Sequence, residues 1–141
     1  MKVFLAGVMQ GNMKNHGIRS QDYRTQLTKL LQSIVPAVEV IDPDITDPDR
    51  LKYTKEQSAD MFFRYCEMAG EVDLLISFIP EASMGSAVEM WKAYNANIPF
   101  LTISPMDHNW VVKLLSHKIY PSMENFKDNF TIELLEELKL V

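Results

Sequence analysis

A chain of 141 residues with 47% apolar content is long enough for one full hydrophobic core and too apolar to be disordered. Its net charge of −5, with 14 scattered basic residues, leaves no basic stripe for a nucleic-acid backbone. The lone Cys66 rules out an internal disulfide, the three histidines make no zinc-spaced cluster, and no apolar run approaches the ~20 residues that span a bilayer.

Taken in order, “KVFLAG” reads as a β-strand ended by glycine. With one lysine and a short apolar run that passes into polar residues, it does not read as a signal peptide. “VMQGNMKNHGIR” is a loop rich in Gly and Asn. From Ser20, a suitable N-cap, Tyr23, Leu27, Leu30, Leu31 and Ile34 recur at helical spacing until Pro36. “AVEVID” is a second strand, and “PDITDPDR” an acidic loop punctuated by proline. Thr54 caps a helix that runs to about Ala69, with Gly70 closing it. “VDLLISFI” is almost continuously apolar, as a central parallel strand covered on both faces must be. A helix follows from about Ser83 to Asn97, then the strand “IPFLTIS”. “MDHNWVVKLLSH” is a short helix with Asp107 as its N-cap, “KIYPS” a short fifth strand, and “MENFKDNFTIELLEELKL” a helical region broken near Asn129.

The alternation implies an α/β fold: one doubly wound parallel sheet with helices on both faces and right-handed crossovers. The expected strand order is 2-1-3-4-5, in a single domain over residues 1–141. Such sheets bind ligands beyond the carboxyl ends of their strands, where the order reverses. Here that point lies between the first and third strands, at “GVMQGN” and “PEASMGS”.

The second of these loops carries the sharpest chemical signal. In “EASMGSAVEMW”, Ser83 precedes the helix and Gly85 and Ser86 lie in its first turn, so a ligand can approach exposed amides closely. Glu89 follows six residues after Ser83 and leans back toward the helix start. Spacing alone fits either a serine-capped helix with Glu89 in water or a carboxylate aimed at a ligand. The first loop offers Gly7, Gln10, Gly11, Asn12 and His16, without the spacing of a dinucleotide fingerprint or a Walker loop. Asp42 closes the second strand, Asp60 and Glu67 lie on the following helix, and Asp73 opens the third strand at its structural, amino end. Asn109 lies beyond the fourth strand, where it can flank a ligand. No acyl-hydrolase elbow surrounds Ser86.

These stretches resemble the nucleoside 2-deoxyribosyltransferase superfamily, including its branch of nucleotide N-glycosidases. “KVFLAGVMQG” is similar to that family's first strand and glycine-bearing loop. “VDLLISFIPEASMGSAVEMWKAYNANIPFLTIS” is similar to its signature, an aspartate-opened strand followed by S-x-G-x-x-x-E. The resemblance implies that Glu89 is the nucleophile at the anomeric carbon and that Ser83 and Gly85 meet the sugar's 5′ end, with Ser86 beside them in the first turn as a further substrate-binding candidate. Gly7, Gln10 and Gly11 then lie beside base and sugar, and a serine at position 83 points to a 5′-monophosphate. The family's aspartate eight residues before Asp73 is replaced here by Tyr65. The second catalytic group is thus sought among Asp60, Asp42, Glu67 and Tyr65.

The implied reaction is hydrolysis of the N-glycosidic bond of a nucleoside 5′-monophosphate through an oxocarbenium-like transition state and a glutamyl intermediate. The alternatives are transfer of deoxyribose between bases, or an inactive nucleotide-binding module. The chemistry requires no metal or cofactor. With a lone cysteine and no signal-peptide or membrane-spanning pattern, the cytoplasm is the expected compartment. The resemblance further implies a small-molecule nucleotide or nucleoside partner, and a homodimer or larger homo-oligomer, for which Trp91, Tyr94 and the region 109–117 are candidate contacts.

Overall fold

The computed structural model describes residues 1–11, 14 and 17–141. Five parallel strands form one sheet: β1 (Lys2–Gly7), β2 (Glu39–Ile41), β3 (Leu74–Phe78), β4 (Phe100–Ile103) and β5 (Lys118–Tyr120), in the order β2-β1-β3-β4-β5. The expected order is therefore the observed one. Between the strands run α1 (Asp22–Ile34), α2 (Pro43–Thr46), a 3-10 turn over Arg50–Lys52, α3 (Lys55–Met68), α4 (Met84–Asn95) and α5 (Trp110–Leu115). The chain closes with α6 (Met123–Asn129) and α7 (Ile132–Glu137).

Both faces of the sheet are covered, which explains the unbroken apolar strands. Val3, Leu5, Leu74, Ile76, Leu101 and Ile103 point to one side, where Leu27 and Leu31 of α1, Phe126 of α6 and Leu135 of α7 meet them. Phe4, Ala6, Leu75 and Phe100 point to the other, against Tyr65 and Ala69 of α3, Met90 and Ala93 of α4 and Val112 of α5. Asp73 ties down the amino end of the sheet: its carboxylate accepts from Lys2 N at 2.7 Å, and its own amide donates to Lys2 O at 2.9 Å.

Several boundaries differ from the sequence reading for local reasons. Thr54 caps α3 through a capping box with Gln57, as expected. Ser20 does not cap α1: its hydroxyl bonds Asp22 at 2.9 Å, and Gln21 occupies the N-cap position. Asn109, not Asp107, caps α5, accepting from Val111 N and Val112 N. Asp42 ends β2 by starting α2, where it accepts from Asp44 N. The acidic stretch after it is thus a short helix and a 3-10 turn. Among the described residues, no helix is long and apolar enough to cross a membrane.

The register pairs Gly7 with Phe78 at the carboxyl ends of β1 and β3. With β2 on one side of β1 and β3 on the other, this is the point where the strand order reverses.

Candidate active site

At that point the structure holds a cavity of about 330 Å³. This is near the small end of the ~300–1,000 Å³ typical of small-molecule sites. Three segments wall it. The loop after β1 supplies Gly7, Met9, Gln10, Gly11 and Ile18. The 3-10 turn and one face of α3 supply Arg50, Leu51, Ser58, Met61, Phe62 and Tyr65. The start of α4 supplies Ser83, Met84, Gly85, Ser86 and Glu89, and Arg24 and Pro43 complete the lining.

Local folding at α4 follows from its sequence. The Ser83 side chain caps the helix, accepting from Ser86 N at 3.3 Å, and its hydroxyl meets that of Ser86 at 2.9 Å. That cap takes up the Ser86 amide, which leaves the amides of Met84 and Gly85, both cavity-lining residues, without a carbonyl partner within the helix. A methyl group built on Gly85 would meet nothing within 4 Å, so the fold itself does not demand glycine there. Gly7 is different. A side chain there would drive its Cβ into Tyr23, 2.7 Å from Cζ. Gly11 has φ of +56°, the left-handed region where glycine is favoured, and its Cβ would lie 2.9 Å from Val8 Cγ2. The loop bearing Gln10 and Gly11 is held by Arg19, whose amide donates to Met9 O at 2.6 Å and whose Nε donates to Glu81 Oε1 at 2.7 Å. Asn12 and His16 lie outside the described residues.

Glu89 is the sole carboxylate among the described lining residues. The side chain is half-buried, and its carboxylate oxygens, which no described residue hydrogen-bonds, are not sealed off from the cavity. Burial pushes its pKa from 4.5 up to about 8, and the Arg24 guanidinium opposes this only in part. Sequence leaves the balance between burial and the helix start open; in the folded chain burial prevails.

Of the other expected site residues, Gly7, Gln10, Gly11, Tyr65, Ser83, Gly85 and Ser86 join Glu89 in the lining, and Asp60, Asn109, Asp42 and Glu67 do not. Asp60 is exposed on α3. The inward face of that helix runs through Ser58, Met61, Phe62 and Tyr65, at spacings of three and four, and position 60 falls off it. Asn109 is spent on capping α5. Asp42 is 5% exposed and pairs with Arg24, Nη1 to Oδ1 at 3.2 Å, so it acts on the cavity only through that arginine. Glu67 is also outside the lining, paired with Lys92 at 2.6 Å.

Tyr65 is anchored rather than free. Its hydroxyl donates to Asp47, which also accepts from Tyr53 at 2.7 Å and Arg64 Nη2 at 3.0 Å. Burial raises the Tyr65 phenol to about 12, with the Asp47 hydrogen bond adding to it. Although burial works against ionisation of Asp47, hydrogen bonds from Tyr65 and Tyr53 and the charge of Arg64 hold its carboxyl below the ordinary range. Tyr65 is therefore a neutral, fixed polar wall, not a ready acid.

Sequence reasoning missed Arg24, Arg50, Ser58, Met61, Phe62 and Asp47. A signal existed for Arg24: it stands three residues before Leu27 and seven before Leu31, on the buried stripe of α1. An arginine in an apolar stripe needs a buried partner, just as a glutamate in one does.

No protein-family model matches the sequence, and no curated protein is recognisably similar to it. Solved structures do match. A 2-deoxyribosyltransferase from Bacillus psychrosaccharolyticus superposes with a TM-score of 0.70 at 16% identity, covering 96% of each chain. A conserved protein from Enterococcus faecalis V583 gives 0.61 at 18% identity, over 99% of this chain and 97% of that one. A CMP N-glycosidase from Clostridium botulinum gives 0.50 at 16% identity, over 91% and 96%. The chain thus has the fold shared by a 2-deoxyribosyltransferase and an N-glycosidase, with Glu89 set in the cavity at its strand-order reversal.

Proposed function

We propose that this chain is a nucleoside 5′-monophosphate N-glycosidase, with Glu89 as the nucleophile. The observation that carries the proposal is a single half-buried carboxylate lining a cavity of about 330 Å³, on a helix whose start is made of Ser83, Gly85 and Ser86. Amides and hydroxyls at that helix start suit a phosphate. Ionised Glu89 then attacks C1′ from the face opposite the base, the C1′–N bond breaks, and water releases the sugar phosphate from the glutamyl ester. With Asp60 outside the cavity and Asp42 bound to Arg24, no second carboxylate among the described lining residues is at hand to protonate the base. The departing base draws its proton from water, or from lining hydroxyls such as Ser58.

The test is chromatographic. Purified protein incubated with nucleoside 5′-monophosphates releases free base and sugar phosphate, while the corresponding nucleosides react at least tenfold more slowly. Nucleosides and nucleotides reacting alike would remove the phosphate from the proposal. The likeness to a deoxyribosyltransferase favours a second reading, in which an added base captures the glycosyl intermediate. A new nucleotide formed faster than free sugar phosphate would select it. Tight binding without any product would select an inactive binding module.

Gly85 separates fold from function. Gly85→Ala places a methyl in open space and removes a helical glycine, so stability holds or rises by up to about 1 kcal/mol. The same methyl lies where the phosphate would approach the amides, so nucleotide affinity falls. Thermal denaturation and calorimetric titration of this variant check both halves, and unchanged affinity would place the phosphate elsewhere.

Oligomerisation belongs to the same proposal. Trp91 and Tyr94 stack at 5.8 Å on the outer face of α4, and Trp91, Trp110 and Leu114 are 56%, 81% and 67% exposed. So much apolar surface suits a contact between two copies of the chain. Light scattering is expected to give at least twice the mass of the 141-residue chain; a monomer at micromolar concentration would contradict this.

A further inference from the structure

Arg24 is a buried guanidinium with donors to spare. Its Nε donates to Gln21 Oε1 at 2.7 Å, and its Nη1 to Leu5 O at 2.7 Å and Asp42 Oδ1 at 3.2 Å. No described residue accepts from Nη2, and that atom is not sealed off in the protein interior. The side chain is 2% exposed and lines the cavity that holds Glu89, without a hydrogen bond between the two. A guanidinium carries five N–H donors, so the two on Nη2 remain, on a side chain that lines the cavity. Leaving a charged donor unpaired in such a place is costly, and an occupant that brings an oxygen there is favoured.

Stereochemistry indicates which oxygen. On the N-glycosidase reading, on which this inference rests, Glu89 lies beneath C1′, opposite the base. A β-nucleoside carries its base and its C5′ on the upper face of the sugar. Ribose projects its 2′-hydroxyl from the lower face, at the carbon next to C1′. Arg24 is anchored at β1 through Leu5 O and lines the same cavity as Glu89, on whose carboxyl its charge acts, whereas Ser83 and Gly85 belong to the start of α4. It therefore addresses the lower face, away from the phosphate at Ser83 and Gly85. Charge agrees: Asp42 already balances Arg24, which leaves a donor suited to a neutral hydroxyl more than to a phosphate dianion.

We propose that the free amino group of Arg24 binds the 2′-hydroxyl, and that the protein selects ribonucleotides over 2′-deoxyribonucleotides. Deoxyribose offers only C–H at this position, and arabinose carries its 2′-hydroxyl on the wrong face. Deoxyribosyl bonds break more readily on their own, so binding is the cleaner readout.

The experiment titrates the full-length Glu89→Gln protein with the ribonucleoside 5′-monophosphates, their 2′-deoxy and 3′-deoxy counterparts, and arabinosyl-cytosine and arabinosyl-adenine 5′-monophosphates. Ribonucleotides are expected to bind about 10- to 100-fold more tightly than 2′-deoxy ones, as loss of a charge-assisted hydrogen bond implies. Arabinosyl nucleotides should behave like the 2′-deoxy compounds. Equal affinities, tighter 2′-deoxy binding, or a loss confined to the 3′-deoxy series would overturn the assignment. Arg24→Lys keeps a cation beside Asp42 but loses the second amino group, so the ribose preference should fall toward unity; a preserved preference would also overturn it. Should that variant not fold, the sugar series alone decides. Base release by the unmodified protein is followed in parallel. If no nucleotide loses its base, the glycosidase reading fails; if bases are released but the sugars bind alike, only the Arg24 assignment fails.

Discussion

At pH 8 the Glu89→Gln protein is expected to melt at a higher temperature than its parent, and near pH 4.5 the two should melt together. The folded chain holds the Glu89 pKa at about 8, well above the 4.5 of an exposed glutamate. Below pH 4.5 the group is protonated in both folded and unfolded chains and contributes nothing. Between 4.5 and 8 the unfolded chain loses the proton while the folded one retains it, so stability falls as pH rises, by up to about 1.4 kcal/mol per unit. Glutamine removes that loss. The expected gain at pH 8 is on the order of 2–4 kcal/mol, and each kcal/mol shifts the melting point by about 2–4 °C at this chain length. The same ionisation sets a rate limb: kcat/KM of the parent rises about tenfold per pH unit below 8 and levels above it, because only ionised Glu89 attacks. Melting curves that stay parallel from pH 4.5 to 8 would show that Glu89 titrates like a surface residue.

The second large effect concerns Asp42, which serves the cavity only through Arg24. Asp42→Ala leaves a guanidinium that is 2% exposed without its counter-charge. Breaking one side of a buried pair costs about 3–5 kcal/mol, a large share of the ~5–15 kcal/mol of a typical domain. The denaturant midpoint should fall accordingly. Replacing both partners, as Arg24→Met with Asp42→Leu, should recover much of the loss, because two apolar side chains tolerate burial that one unpaired charge does not. A cost below about 1 kcal/mol for Asp42→Ala would mean that Arg24 finds solvent or another acceptor.

How far the sequence alone discloses this molecule depends on how local each signal is. Strand order follows from alternation and from “VDLLISFI”, because period and burial are written along the chain. Glu89 is only partly legible: a carboxylate among Ala87, Val88, Met90 and Trp91, behind a serine and a glycine, departs from its surroundings, but spacing alone fits a solvated side chain as well, and the family resemblance is what singles it out. The α5 cap was less so, since Asp107 and Asn109 are both good caps and only the path of the chain from β4 decides between them. Asp60 drew attention as a carboxylate, yet the phase of α3 turns Ser58, Met61 and Tyr65 inward instead. Asp47 and Tyr65 are 18 residues apart, and nothing local announces their hydrogen bond. The Glu89 pKa needs the whole fold, because burial and the charge of Arg24, 65 positions away in the sequence, act in opposite directions and only three-dimensional packing sets their balance.

One comparison bears most directly on Glu89 as the attacking group: free-base release from a single 5′-monophosphate by the parent and by Glu89→Gln, in one assay. Removing a nucleophile typically lowers turnover by orders of magnitude. The expected result is release at least about 10³-fold slower by the glutamine protein, with nucleotide binding intact. Release within about tenfold of the parent would contradict the assignment and move the chemistry to another group.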